Sequence, residues 1–216
     1  MNDDSKMDRD RVRRAYDTVA DGYAALLPDM RFEHRLDRAM IDEFARAVVE
    51  SDPPTVLDAG CGTGRLAGYL SQRGCRVTGV DVSGEMIRNA RETYPLLDFD
   101  VGDLADLPYP SEAFAGVTAW YSLIHTPPQA LPDVFAEFSR VSRSGGSLLL
   151  GFQRGTGTRR IHGAYGYDVD MSAVLHDPDP IAQFLSKAGF TVSAVLTRGP
   201  EEPEKPGQAV MLARRV

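Results

Sequence analysis

Val56-Leu57-Asp58-Ala59-Gly60-Cys61-Gly62-Thr63-Gly64 decides how this 216-residue chain is read. A short apolar run ends in an acid, and glycines then stand at alternate positions. A helical pattern over 65–73 follows at once. That order spells a buried strand, a tight turn and a helix, with the backbone bare at the turn. Glycine there lets a ligand and the main chain approach closely. Further strands are expected at 76–81, 97–101, 113–121 and 147–152, and further helices at 83–93 and 131–143. This alternation implies right-handed crossovers and a parallel sheet covered by helices on both faces. A helix at 179–188 and two strands, 190–197 and 208–214, close the chain, and their hairpin connection makes the last strand antiparallel.

Two helices, 8–27 (interrupted at Gly22) and 33–50, precede the first strand, and residues 1–7 are expected to fray. Residues 153–177 have no clear periodicity and are expected to form a long loop, which in a compact domain is usually functional or mobile. One domain over 1–216 results: a helical cap (1–52), a core (53–152), a lid loop (153–177), and a closing helix and hairpin (178–216). At this length a single core buries about 70% of the unfolded surface.

Composition narrows the partners. Apolar residues make up 43% and charged residues 25%, ordinary values for a globular chain. The net charge of −7 argues against a phosphate backbone as main partner. Two cysteines, Cys61 and Cys75, lack metal-type Cys/His spacing, so neither a metal nor a disulfide framework is implied, and a reducing cytosol is the default. The N-terminus is polar and no run of about 18 apolar residues exists, so a cytoplasmic chain that does not span a membrane is expected. A homodimer is left open.

The ligand is selected by Asp58. Gly62-x-Gly64-x-x-Ala67 satisfies a loose dinucleotide pattern. A carboxylate two residues before the first glycine would repel a pyrophosphate and attract a ligand bearing ammonium and sulfonium groups. A P-loop is excluded, because no Gly-Lys-Ser/Thr follows.

Asp58-x-Gly60-x-Gly62-x-Gly64 resembles motif I of class I S-adenosylmethionine-dependent methyltransferases, and the likeness continues in order. Asp81 closes the second strand, where the family binds two ribose hydroxyls with an acid. Val82 and Met86 fall where apolar side chains flank adenine. Gly102-Asp103-Leu104 follows the third strand, where an acid accepts from the adenine amino group. Trp120 to His125 follows the fourth. Residues 15–23 also resemble the N-terminal helix of small-molecule enzymes of the ubiquinone/menaquinone type. The resemblance implies a doubly wound, mostly parallel, seven-stranded Rossmann-like sheet with an antiparallel last strand and N-terminal helices. It also implies S-adenosyl-L-methionine as cofactor, with Ala59 and Cys61 inside the binding turn, and SN2 methyl transfer to O, N or C of a small acceptor. The alternatives are a nicotinamide-dependent oxidoreductase and a non-catalytic cofactor-binding protein.

Among candidate side chains, His125 stands where the methyl group should point. It is read either as a general base or as pocket lining. Tyr16 and Tyr23 share a helical face, and they either close over the methionine moiety and acceptor or simply pack. Tyr16 is a second catalytic candidate. Cys61 between glycines is read as a small residue that fits a tight turn rather than as a nucleophile. One of Trp120 and Tyr121 should face the pocket. His162, Tyr165 and Tyr167, with Arg154, Arg159 and Arg160, make 153–177 either a substrate lid favouring a polar or anionic acceptor or a solvated loop. Glu201, Glu202 and Glu204 read as a solvated hairpin tip.

Overall fold

The structure is a computed structural model that describes residues 3–202 and 204–216. Val56 and Leu57 lie wholly out of solvent in β1 (Thr55–Ala59). This strand pairs in parallel with β2 (Arg76–Asp81) on one side and β4 (Phe114–Trp120) on the other. β3 (Asp98–Val101) lies outside β2, and β5 (Ser142–Arg154) lies outside β4. Beyond β5, β9 (Gly207–Arg215) runs antiparallel to it and to the edge strand β8 (Phe190–Arg198). The sheet order is thus β3-β2-β1-β4-β5-β9-β8, the doubly wound, mostly parallel arrangement with an antiparallel last strand. β4 is buried along its whole length, as a strand covered on both faces must be.

Helices cover the two faces because their apolar residues fall at three- and four-residue spacings. α5 (Leu131–Val141) presents Val134, Phe135, Phe138 and Val141 to the same core as Ile181 and Leu185 of α6 (Pro178–Lys187). α2 (Arg35–Val49), α3 (Arg65–Ser71) and α4 (Gly84–Thr93) bury Phe44, Leu66, Leu70 and Ile87 against the opposite face. Each such side chain contributes about 1.5–3 kcal/mol by leaving water. α5 ends two residues earlier than expected, since Ser142 is already paired with Phe114 in the sheet.

α1 (Asp3–Leu26) corrects two expectations. Residues 3–7 are helical, and residues 1–2 lie outside the described residues. Gly22 does not interrupt the helix either. A Cβ at Gly22 would sit 2.2 Å from the Tyr165 carbonyl oxygen and 2.7 Å from the Tyr167 ring. The glycine is a notch into which another part of the chain docks.

That part is the segment expected to be a loop. Within residues 153–177 the chain forms an antiparallel ribbon of β6 (Thr158–Ala164) and β7 (Tyr167–Val174). Tyr165 and Gly166 between them have φ of 53° and 87°, the backbone of a type I′ hairpin turn. Within the two strands only Met171 and Ala173 are buried, so alternation in hydropathy is too weak to announce strands. The ribbon lies on α1 through the Gly22 notch, an edge-on Tyr23–Tyr165 contact at 4.8 Å, and an Arg11–Asp170 ion pair at 3.3 Å. Glu204 is a smaller correction. It accepts from Arg198 at 2.7 Å, and the same guanidinium donates to the buried Asp37 of α2, so this residue ties the β8–β9 connection to the cap.

Gly22→Ala should separate these contributions. Alanine raises helix propensity by up to about 1 kcal/mol but fills the notch. The expected result is faster amide exchange and easier proteolysis across 158–174, with the melting temperature little changed. Wild-type exchange in that segment would show that the notch does not hold the ribbon.

Candidate active site

A cavity of about 430 Å³ opens at the C-terminal ends of β1 to β4, under α1 and the tip of the β6–β7 ribbon. Its size falls in the range of small-molecule sites, about 300–1,000 Å³. Most of the residues singled out from the sequence line it: Tyr16, Tyr23, Asp58, Gly60, Cys61, Gly62, Asp81, Val82, Met86, Gly102, Asp103, Leu104, Trp120, Tyr121, His125 and Tyr165. Two do not. Ala59 is buried in the core beneath the turn. His162 points outward from β6, where it pairs with Asp170 at 3.2 Å. Arg154, Arg159 and Arg160 are also absent from the lining, which removes the basis for an anionic acceptor.

The turn after β1 is held by its neighbours. Gly60 and Cys61 N–H donate to Val80 O at 2.7 and 3.0 Å. Gly60 has φ of 78°, and a Cβ there would lie 2.1 Å from Ser122 Cβ, so only glycine lets this turn meet the exit of β4. The Cys61 thiol contacts Gly62 O at 3.7 Å, and burial pushes its pKa well up, which suits a filler of the turn rather than a nucleophile.

Three acids stand at three strand ends. Asp81 accepts from Gly62 N–H on Oδ2 and from Ser83 N–H on Oδ1, both at 2.9 Å. Burial raises its pKa, and these two backbone donors oppose the shift. Asp103 accepts from Ala105 N–H at 2.9 Å. Asp58 is 1% exposed, and its Oδ1 accepts from the Thr118 hydroxyl at 2.8 Å. Burial pushes its pKa up to about 6, while the Thr118 bond and the nearby Arg65 charge pull the other way. Its Oδ2 is buried without a hydrogen-bond partner among the described residues, as are Trp120 Nε1 and Ser122 Oγ. All three residues line the cavity, so its wall holds polar atoms waiting for a ligand.

On the opposite side Tyr16 O–H meets His125 Nε2 at 2.8 Å, and His125 Nδ1 meets the Ser172 carbonyl of β7 at 2.7 Å. A carbonyl oxygen only accepts, so Nδ1 carries a proton; in the neutral imidazole Nε2 is then the bare nitrogen, and Tyr16 donates to it. Burial, before any neighbouring charge, holds the Tyr16 phenol well above its ordinary pKa, so it stays protonated.

Sequence reading passed over several residues here. Asp17 accepts from the Ser83 hydroxyl at 2.7 Å and binds α1 to the start of α4. His176 donates through Nε2 to Leu123 O at 3.1 Å and steadies the turn that carries His125. Arg65 lines the cavity in a buried ion pair with Glu33. Each depends on a distant partner, and no local pattern marks it.

Strand-end acids and a glycine turn stand here in the sheet order shared with S-adenosylmethionine-dependent methyltransferases. Residues 56–146 match the family model described as a methyltransferase domain. A demethylmenaquinone methyltransferase of Chlorobaculum parvum is 32% identical over 146 residues, 66% of this chain and 59% of that protein. A malonyl-[acyl-carrier protein] O-methyltransferase of Salmonella typhimurium is 37% identical over 92 residues, 43% of this chain and 36% of its own length. The chain thus spans about a third to three fifths of these curated relatives. Magnesium protoporphyrin IX methyltransferase from Synechocystis, solved with S-adenosylmethionine bound, superposes with a TM-score of 0.72 at 20% identity, over 97% of each chain. The [4+2]-cyclase SpnF gives 0.73 at 20% identity over 94% of each. These two show the fold. Among the described residues no helix is long and apolar enough to cross a membrane, and no cluster of three His, Cys, Asp or Glu is placed to hold a metal.

Asp58 gives this cofactor-free site a pH signature. Its folded pKa of about 6 lies above the ordinary carboxylate value, so the folded state holds the proton more tightly. The stability this contributes is full below about pH 4 and is lost as pH rises through 6, by about 3 kcal/mol in all. Denaturant unfolding of wild type and Asp58→Asn at pH 4.5 and 7.5 should therefore show the variant gaining on the wild type at the higher pH. A difference that does not change with pH would mean that Asp58 is not desolvated.

Proposed function

We propose that this protein transfers the methyl group of S-adenosylmethionine to a dissociable O–H or N–H of a small, largely apolar acceptor. The observation that carries the reading is that the Tyr16–His125 pair and the Asp58, Asp81 and Asp103 carboxylates line one cavity. The residues fit the cofactor. Asp58 Oδ2, buried and unpartnered, suits the ammonium group. Asp81, at the end of β2, suits the ribose hydroxyls with the lone pairs its two backbone donors leave. Asp103 suits the adenine amino group, with Met86 and Val82 against the ring. When bound, the cofactor supplies an electrophilic methyl group on a sulfonium.

The chain's own part is to hold the acceptor and move a proton. Tyr16 donates to His125, so lone pairs on its oxygen remain for an acceptor hydroxyl or amine. As that proton passes to Tyr16, the Tyr16 proton passes to His125 Nε2, and the resulting imidazolium is held at Nδ1 by Ser172 O. Such relayed acid–base assistance is worth about 10²–10⁴-fold. In-line positioning in a water-poor cavity supplies the rest. The roof of α1 and the β6–β7 ribbon, with Val12, Ile124, Tyr23 and Tyr165, suits an aromatic or apolar acceptor and gives the ribbon the role of a lid. Residence in the cytoplasm and the absence of a nucleic-acid partner rest on the acidic charge and cysteine usage alone. Self-association into a homodimer is compatible with this reading but carries none of it.

Calorimetric titration with S-adenosylhomocysteine and NADH, followed by an acceptor panel of phenols, quinols and carboxylic acids with methyl-labelled cofactor, tests the proposal. Binding of the homocysteine ligand and labelled product are expected; NADH binding without it would overturn the reading. Tyr16→Phe and His125→Gln should each lower kcat by about 10²-fold or more while S-adenosylhomocysteine affinity is retained. Asp81→Ala should weaken that affinity by about 2 kcal/mol. A normal kcat in both dyad variants would leave Tyr16 and His125 as cavity wall only.

A further inference from the structure

Arg65 opens α3 directly after the glycine turn and, among the described residues, is the one Lys or Arg that lines the cavity. Its side chain is 10% exposed, as is that of Glu33, to which its Nη1 donates; Met30 Sδ lies 3.6 Å from the same nitrogen. Both contacts fall on Nη1. Tyr23 is a further neighbour of the guanidinium, and both residues line the cavity. Burial works against the charge on Arg65, and Tyr23 and Glu33 outweigh that and hold its pKa above the ordinary guanidinium value. Buried ion pairs add little net stability, because desolvation cancels most of the attraction. Stability alone is therefore a weak reason to keep Arg65 and Glu33 in this wall.

The charges of the cavity point to another reason. Asp58, Asp81, Asp103 and Asp133 make its lining acid-rich, which suits a sulfonium and an ammonium. Among the described residues, the permanent cation that a carboxylate entering the same cavity meets is Arg65. Asp58 and Arg65 flank the glycine turn and both line the cavity, and Arg65 is close enough to lower the Asp58 pKa. This end of the cavity therefore holds both a guanidinium and the Asp58 carboxylate, whose Oδ2 lacks a partner among the described residues. An α-amino acid carries its ammonium and carboxylate on one carbon, and this end offers one partner for each.

We propose that Arg65 binds the α-carboxylate of the S-adenosylmethionine amino-acid moiety, with Glu33 as the positioning residue that holds its guanidinium. A guanidinium fork meets a carboxylate in two parallel hydrogen bonds, which a lysine cannot reproduce. Because Glu33 lies just outside α2, in the cap, the ion pair also makes the cap part of the cofactor site. The proposal builds on the cofactor assignment and does not depend on the Tyr16–His125 relay.

Titration calorimetry on the full chain with S-adenosylmethionine and decarboxylated S-adenosylmethionine tests it. The second ligand keeps the sulfonium and the ammonium and lacks only the carboxylate. Wild type should prefer the first. Arg65→Met should weaken S-adenosylmethionine binding by about 10- to 100-fold and leave the decarboxylated ligand unaffected, which also certifies that the variant is folded. Arg65→Lys should fall between, and Glu33→Gln should narrow the ratio of the two affinities. Equal losses for both ligands, or no loss for either, would overturn the proposal. So would an Arg65→Met variant with intact cofactor affinity and a raised acceptor KM, which would place the carboxylate on the acceptor. Wild type that binds neither ligand would remove the cofactor assignment itself, a different failure.

Discussion

A carboxylate buried at the end of a parallel strand, with one oxygen unpartnered, is an expensive thing for a fold to keep, and among the described residues Asp58 is such a group. Burying an ionised acid without full compensation disfavours its charged form, which is why its pKa moves to about 6. The surroundings are arranged around that charge. Thr118 of β4 satisfies one oxygen, the glycine turn removes side chains on the ligand side, and Asp81 uses Gly62 N–H to fix the turn itself. Destabilisation of this kind is tolerated where a ligand later supplies the missing partner. In this cavity a cationic donor suits that oxygen best.

The central half of the site was legible because its signals are local. An apolar run, an acid and spaced glycines fix strand, turn and helix within nine residues, and the acids at 81 and 103 close the next two strands. Alternating strands and helices then leave few topologies open. What was illegible depends on residues far apart in the chain. Tyr16 meets His125 across 109 positions, His125 meets Ser172 across 47, and Arg65 meets Glu33 across 32. Tyrosine, histidine and arginine occur in any sequence, and only the folded chain pairs them. The β6–β7 ribbon was missed for a different reason. Its outer face is polar and little of its inner face is buried, so the period-2 signal that marks a half-buried strand is faint.

Gly22 shows how one residue can be read correctly as unusual and wrongly in its effect. A glycine inside a helical pattern normally argues for a break. Here the helix runs on, and the missing side chain is spent on the ribbon's turn, which sits where a Cβ would be. α1 is otherwise tied down by Asp17 on Ser83 and by Asp21 on Arg88 at 2.7 Å, contacts that reach the helix after the Asp81 turn. The Asp21–Arg88 pair is exposed and worth little by itself. The docking of α1 therefore rests on the small apolar cluster of Val19, Ala20 and Met86 with Tyr16, Tyr23 and Tyr165 around it. Several of those same side chains line the cavity, so the packing that closes the cap also shapes the site.

This division separates what the fold determines from what it leaves open. SpnF, a [4+2]-cyclase, superposes on this chain about as well as magnesium protoporphyrin IX methyltransferase does, so the sheet and its helices do not choose the reaction. The strand-end acids bear on the cofactor. The reaction and the acceptor must be chosen by what lies above the strand ends, namely α1, the turn bearing His125, and the β6–β7 ribbon. The ribbon contributes both Tyr165 in the wall and the Ser172 carbonyl that fixes the proton on His125 Nδ1. Lifting it would widen the cavity and release the histidine to either tautomer at once. In the proposed reaction, access and the geometry of the proton acceptor are thereby set by the same element, so an acceptor that cannot fit beneath the seated ribbon would also meet a site whose proposed base is no longer ordered.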